Sequence, residues 1–518
     1  MENETIESKP TNVTKSTEST ESTEAESTKN NSVEATAKPS EPRRAWADEA
    51  DDDDELAASS PSPSPSPASS SLGLDLDELA IDDSKKKKAD SLDEPEDSNI
   101  KAVTSGHTLY STAMTFEDLN LSTELLKGLY VGMNFKRPSK IQSISLPMIL
   151  TPPHKDLVAQ AHNGSGKTTC FVLGMLSRVD VKLREPQALC ICPTRELAIQ
   201  NLEVLMKMGQ FTGITSVLAV PEKPGVGVPT HKMPPVTAQI VIGTPGTIGK
   251  WLGHGKLGMR ALKILVFDEA DHMLAEGGFR DDSLKVIKAI EKVNKHCQVL
   301  LFSATFNDVV KSFVSRVVRD GNQLFVKKEE LSLDVVKQYK VHCPDELAKI
   351  SVIRDKIFEY GDKVGQTIVF VRTRTSAAAL HESLAKDGYV CTSIHGTIDH
   401  ENRDKVVKEF REGLTKVLIS TDILARGFDQ SQVNLVVNYD LPFIHDHRAE
   451  PDYEVYLHRC GRAGRFGRKG AVFNFLRTDN DYVLMDKIQR HFGHQVHEIH
   501  DWRSDQEFEE ALKAAGLL

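Results

Sequence analysis

No stretch of this sequence approaches the roughly 18 uninterrupted apolar residues that a membrane span needs. Membrane insertion is therefore not expected, although the hydrophobic share of 39% is enough for real cores. The N-terminus is polar and acidic, which is not the pattern of a secretory signal. Cysteine is scarce: there are seven, scattered, and the closest pair, Cys190 and Cys192, sits inside a single apolar run. An odd, unpatterned set gives neither a disulfide framework nor a zinc site. It points to a reduced intracellular protein whose thiols serve as small core hydrophobes. At 518 residues the chain is too long for one ordinary domain, so two domains plus something extra are expected.

Charge is distributed unevenly. Residues 1–100 carry 10 lysines and arginines against 26 acids, leaving 54 basic against 49 acidic residues in the remainder. The acidity belongs to the N-terminal tail, and the body is mildly basic. A nucleic-acid cleft fits that balance, but so do many ordinary enzymes.

Up to about residue 105 the composition is serine, threonine, acids, proline and lysine, with a Ser-Pro run at Ser60–Pro67 and four aspartates from Asp51. Such a segment cannot bury enough apolar surface to offset its ordering entropy, so residues 1–105 are expected to be a disordered acidic extension. One apolar island, Leu72–Ile81, places Leu72, Leu76, Leu79 and Ile81 at the spacing of a leucine-rich nuclear export signal. The alternatives are a transient amphipathic turn or a helix that docks on the folded body. Lys85–Lys88, four lysines among acids, reads as solvated charge rather than an import signal.

From Thr115 onward short apolar runs alternate with longer amphipathic stretches. Buried strands are expected at Asp156–Gln160, Ala188–Cys192, Ile240–Gly243, Lys263–Phe267 and Gln298–Phe302. A second series follows at Thr367–Val371, Thr392–His395, Lys416–Ser420, Leu435–Asn438 and Gly470–Phe475. Continuous β-rich runs separated by helical patterns imply parallel sheets covered by helices on both faces. The fold class is therefore α/β, two tandem doubly wound domains at 106–326 and 340–518, joined by a linker at 327–339 that lacks strong core patterning. Ligands of such sheets bind at the carboxyl ends of the strands, where the motifs fall.

The stretch AHNGSGKT, Ala161–Thr168, follows an apolar strand and opens a helical pattern. Gly164, Ser165 and Gly166 would let backbone amides approach phosphate oxygens. Lys167 would supply a cation, and the Thr168 hydroxyl a magnesium ligand. Ala161 stands where the general pattern has glycine. The strand KILVF ends in Asp268 and Glu269. Adjacent acids directly after a buried strand are otherwise unfavourable, which favours Asp268 as the Mg2+ ligand and Glu269 as the group orienting the attacking water.

Asp268–Asp271 spells DEAD, and the surrounding motifs resemble those of the DEAD-box RNA helicases, in order. The resemblance covers nearly everything from about residue 99 to the end. The segment Phe116–Gln142 resembles the adenine-recognising Q motif. By that likeness Phe135 stacks on the base and Gln142 hydrogen-bonds its edge, an amide offering donor and acceptor together. PTREL (Pro193, Thr194 and Arg195 onward) and GTPGT (Thr244, Pro245, Gly246 within it) resemble first-domain RNA motifs. SAT, with Ser303 and Thr305, resembles the motif coupling hydrolysis to strand separation. In the second series, Arg372 and Thr421 are implied RNA contacts, Gly427 and Asp429 ATP contacts, and Arg462 and Arg465 arginine fingers. The last could otherwise be surface arginines or RNA-phosphate contacts. Cys460 stands where the family more often has an apolar residue. The family's fold implies RecA-like domains, with ATP and single-stranded RNA clamped between them.

Three departures narrow the resemblance: Ser139 in PSKIQ, Thr247 where most relatives carry arginine, and an insertion at Phe443–Val455. All three look like the mRNA-export helicases of the nuclear pore, and the wording looks most similar to plant members. That likeness implies a nuclear-pore scaffold partner, a release factor assisted by inositol hexakisphosphate, and a monomer shared between nucleus and cytoplasm and enriched at the nuclear envelope. The alternatives are a translation-initiation-type helicase, an ATP-gated RNA clamp that rarely unwinds, and a DNA helicase.

Overall fold

Neighbouring residues of each apolar run are buried on opposite faces of a sheet, and both faces are covered. In the first strand of the nucleotide motif, Leu157 and Ala159 join one core while Val158 joins another. In the second half of the chain Val369 and Val371 enter one core, and Ile368 and Phe370 the opposite one. Alternation along a strand with apolar residues at every position is the condition for a sheet buried on both sides. The computed structural model describes residues 100–104, 110–160, 164–221, 228–275, 279–326, 336–425, 428, 430, 432–444, 447–464 and 468–518.

The first sheet contains β1 (Ile100–Val103), β2 (Leu157–Gln160), β3 (Ala188–Ile191), β4 (Ser216–Ala219), β5 (Ile240–Gly243), β6 (Ile264–Phe267), β7 (Gln298–Ser303) and β8 (Asn322–Val326). Their order is β1-β8-β2-β7-β6-β3-β5-β4, parallel throughout except for β1, which runs antiparallel to β8. The second sheet contains β9 (Val336–His342), β10 (Gln366–Phe370), β11 (Cys391–Ile394), β12 (Val417–Ser420), β13 (Val433–Asn438), β16 (Gly470–Leu476) and β17 (His497–Ile499), in the order β11-β12-β10-β13-β16-β9-β17. A separate hairpin pairs β14 (Phe443–Ile444) with β15 (His447–Pro451). Two parallel-sheet domains, each flanked by helices, match the α/β expectation. All ten expected strands are present, within two residues of the expected ends.

Two expected boundaries need correction. Ile100–Val103, placed in the disordered extension 1–105, is an edge strand registered on Gln323–Val326. Residues 336–339, placed in the linker 327–339, open the interior strand β9, which pairs with β16 on one side and β17 on the other. The sequence VKQYKVH looks like a linker because two lysines and a glutamine interrupt it. Gln338 is nevertheless buried, its Oε1 accepting from the Tyr456 hydroxyl at 2.6 Å. The insertion Phe443–Val455 folds as the hairpin and the start of a helix, Tyr453–Cys460. The Leu72–Ile81 island and the remainder of the linker, 327–335, lie outside the described residues. Among the described residues no helix is long and apolar enough to cross a membrane.

Candidate nucleotide and RNA site

Of the glycine-rich motif that follows β2, residues 164–168 are described. Gly164 and Gly166 have φ of 81° and 98°, the left-handed region that favours glycine. A Cβ on Gly166 would lie 2.4 Å from Gln142 Nε2, so a side chain there would also displace that amide. The helix Lys167–Arg178 starts directly behind, which aims its N-terminal amides and positive dipole end at the loop. Lys167 is buried at the helix start and Thr168 is half-buried beside it. Ala161 lies outside the described residues.

Gln142 is tied into this loop. Its Oε1 accepts from Ser139 N at 2.9 Å, and its Nε2 donates to Gly166 O at 3.2 Å. The Ser139 hydroxyl donates to Ser165 O at 3.0 Å. The residue expected to recognise a base is therefore wired to the loop expected to hold phosphates. Phe135, seven residues before Gln142, is half-buried and packs against the first-domain core.

At the end of β6, Asp268 is buried and accepts from Asn201 Nδ2 at 2.8 Å. Burial pushes its carboxyl above the usual carboxylate range, and the nearby Lys167 and the Asn201 amide act against that rise. A buried carboxylate is an oxygen donor that a divalent cation would stabilise in its charged form. Among the described residues, Thr168 and Asp268 fit the role of magnesium ligands. Glu269 is also buried and holds a left-handed backbone, φ 51°. A non-glycine residue in that region carries about 1–3 kcal/mol of strain, of the kind that gathers at functional sites.

Asp271 organises the SAT turn, Ser303–Thr305. Its Oδ2 accepts from both Thr305 N and Thr305 Oγ1 at 3.0 Å, and its backbone N donates to Ser303 Oγ at 3.2 Å. Ser303 Oγ in turn donates to Thr305 O at 2.8 Å. The same Asp271 Oδ2 lies 3.3 Å from His458 Nε2 of the second domain, both side chains fully buried. The first domain's acid loop and the second domain's helix Tyr453–Cys460 thus meet at this carboxylate.

The remaining expected residues are distributed as follows. Thr194 caps the helix Arg195–Gly209, its hydroxyl accepting from Leu197 N, with Pro193 buried before it. Arg195 makes a bidentate ion pair with Asp404 of the second domain, so its guanidinium is committed between the domains rather than left open at a groove. Thr244 is buried, and Pro245 and Gly246 begin the helix Pro245–Gly253, with open space around Gly246. Arg372 is exposed just beyond β10, and Thr421 is half-buried just beyond β12. Arg462 is buried: Nε donates to His458 O at 3.1 Å and Nη1 to Phe428 O. Gly427, Asp429 and Arg465 lie outside the described residues.

Sequence reasoning missed Asn201, Asp404 and the pairing role of Asp271 and His458. Asn201 sits in an otherwise ordinary amphipathic helix and carries no local signal. Asp271 and His458 were inside recognised motifs, but their partnership spans 187 residues. Further ion pairs join the helices Arg195–Gly209 and His400–Arg411: Arg403 to Glu196 at 3.3 Å and Arg411 to Glu203 at 2.7 Å.

A family model described as DEAD/DEAH box helicase matches residues 139–313, and one described as helicase conserved C-terminal domain matches residues 348–467. DEAD-box ATP-dependent RNA helicase 38 of Arabidopsis thaliana is 65% identical over 435 residues, covering 84% of this chain and 87% of that protein. The structure of S. cerevisiae Dbp5 bound to RNA and ADP BeF3 is 38% identical, with a TM-score of 0.71, and the match covers 78% of this chain and 100% of that one. A variant of the same yeast protein bound to Nup159, a Gle1 variant, IP6 and ADP is 37% identical, with a TM-score of 0.55 over 76% of this chain and 99% of that one. Motif order, site geometry and these matches agree: the chain belongs to the DEAD-box family of ATP-dependent RNA helicases.

Proposed function

We propose that this helicase uses RNA-stimulated ATP hydrolysis to open short RNA duplexes and to remodel mRNA–protein particles during export at the nuclear pore. The observation that carries the enzymatic reading is the buried contact of Asp271 with His458, because it joins the nucleotide loops of one domain to the second domain. Closure would then assemble a complete site, and opening would dismantle it.

In this reading Phe135 and Gln142 hold the adenine, and the amides of 164–166 with Lys167 hold the phosphates. Thr168 and Asp268 hold magnesium, which when bound neutralises charge on the phosphate oxygens. Glu269 orients the attacking water and takes up its proton. Arg462 and Arg465 stabilise charge developing on the transferred phosphoryl group, and Gly427 and Asp429 complete the nucleotide contacts from the second domain. The turns at 193–195 and 244–246, with Arg372 and Thr421, follow the RNA backbone rather than its bases. A strand bent along that path is incompatible with a duplex, so the duplex opens locally.

The export role is supported by the likeness to yeast Dbp5, whose solved complexes contain RNA and ADP BeF3 in one case and Nup159, Gle1 and IP6 in another. Thr247 and the 443–455 insertion support it from the sequence. A corresponding pore scaffold and an IP6-assisted release factor are the proposed partners, and the proposed location is the cytoplasmic face of the nuclear envelope with exchange into the nucleus.

ATP hydrolysis with and without single-stranded RNA, beside Glu269→Gln, tests the enzymatic reading. RNA stimulation in the parent and its loss in the variant, with nucleotide binding kept, is the expected result. ATP-dependent RNA retention without hydrolysis in either protein would instead identify a clamp.

A further inference from the structure

Arg372 is the exposed cation at the carboxyl end of β10, and two neighbours fix its position. Its backbone N donates to Asp440 Oδ2 at 2.9 Å, which anchors the main chain just beyond β13. Its guanidinium carbon stands 5.3 Å from the centroid of the Phe443 ring, over the face. Phe443 is the first residue of the insertion and the first of β14, registered on Pro451 across the hairpin. The hairpin is itself braced. Lys487 Nζ donates to Ala449 O at 2.8 Å and to Glu450 at 2.6 Å. Tyr453 stacks on His491 at 3.9 Å and donates its hydroxyl to Glu450 at 3.1 Å. A long arginine side chain at an exposed strand end has many rotamers, and an aromatic face within about 6 Å selects among them electrostatically.

We infer that Phe443 is a positioning residue for RNA binding, and that the inserted hairpin serves to hold its ring beneath the Arg372 guanidinium. The inference rests on the reading of Arg372 as an RNA contact. Pre-setting the cation removes ordering entropy from the binding step, so the gain is in RNA affinity. The hairpin thus supplies a preorganised cation next to the strand ends along which the RNA is proposed to run. A purely structural Phe443 would act through packing alone, because its ring also touches the second-domain core.

The test is RNA affinity in the presence of a non-hydrolysable ATP analogue, measured by fluorescence anisotropy on the full chain for Phe443→Leu, Phe443→Tyr, Arg372→Ala and the Phe443→Leu/Arg372→Ala double variant. Leucine keeps apolar volume and removes the π face; tyrosine keeps the face. The expected result is a loss of about two- to fivefold for Phe443→Leu, consistent with an exposed cation–π contact, with parent-like affinity for Phe443→Tyr. In the Arg372→Ala background the leucine substitution should then add nothing. Equal losses for the leucine and tyrosine variants, or a leucine effect that persists without Arg372, would overturn the inference. Arg372→Ala weakening RNA while Phe443→Leu does not would also overturn it and leave the Arg372 reading intact. Unchanged affinity in Arg372→Ala would remove that reading and the inference together.

Discussion

Asp271 illustrates how much a single side chain carries here: one carboxylate receives two hydrogen bonds from Thr305 and faces His458 across the domains. Replacing it by asparagine keeps its shape and removes its charge. Losing a charge-assisted buried contact is worth about 1.5–3 kcal/mol. Asp271→Asn is therefore predicted to lower RNA-stimulated kcat by roughly 10- to 100-fold, with ATP binding changed little. Steady-state kinetics with titrated ATP and RNA separate the cases, since a rise in the ATP KM alone would place Asp271 in nucleotide binding instead. The identity of this residue was legible in the DEAD letters, but its partner was not. No local pattern reports a contact between residues 187 positions apart.

At the level of elements, the phosphate loop and the segment leading to Gln142 are one unit. Gly166 has φ 98°, and an added Cβ would meet the Gln142 amide at 2.4 Å. Gly166→Ala thus combines left-handed strain of about 1–2 kcal/mol with displacement of the Gln142 amide. The expected result is at least about a fivefold loss of nucleotide affinity by calorimetry, matching that strain. Parent-like affinity would mean that Gln142 moves aside freely. Strands such as β3 and β6 were legible because both of their faces are apolar. β9 was not, because polar Gln338 interrupts the buried Val336, Tyr339 and Val341, and its burial depends on pairing with Tyr456. The short strands β4, β8 and β17 were missed for a related reason: each lies toward an edge of its sheet, where burial does not demand a continuous apolar run.

For the whole molecule, the two domains meet through Arg195–Asp404, Arg403–Glu196 and Arg411–Glu203 as well as Asp271–His458. Partly exposed pairs are worth about 0.2–1 kcal/mol each and are screened by salt. Removing two, with Asp404→Ala and Arg411→Ala, is predicted to shift the open–closed balance by about 0.4–2 kcal/mol, roughly two- to thirtyfold. A fluorescence pair placed on the two domains would report it as a higher ATP and RNA requirement for closure. An unshifted midpoint would mean that these pairs contribute nothing net to the closed state.

The sequence alone determined the two doubly wound domains, the phosphate loop, the acidic pair after β6 and the family, because these depend on contiguous residues: glycines that permit a turn, a cation at a helix start, acids ending an apolar strand. Tertiary structure decided what those groups touch. It bound Gln142 to the phosphate loop, gave Asp268 its Asn201 partner, turned Arg195 toward Asp404 and set Phe443 beneath Arg372. Each of these joins residues from different elements, and such a pairing exists only once packing has fixed the distance between them.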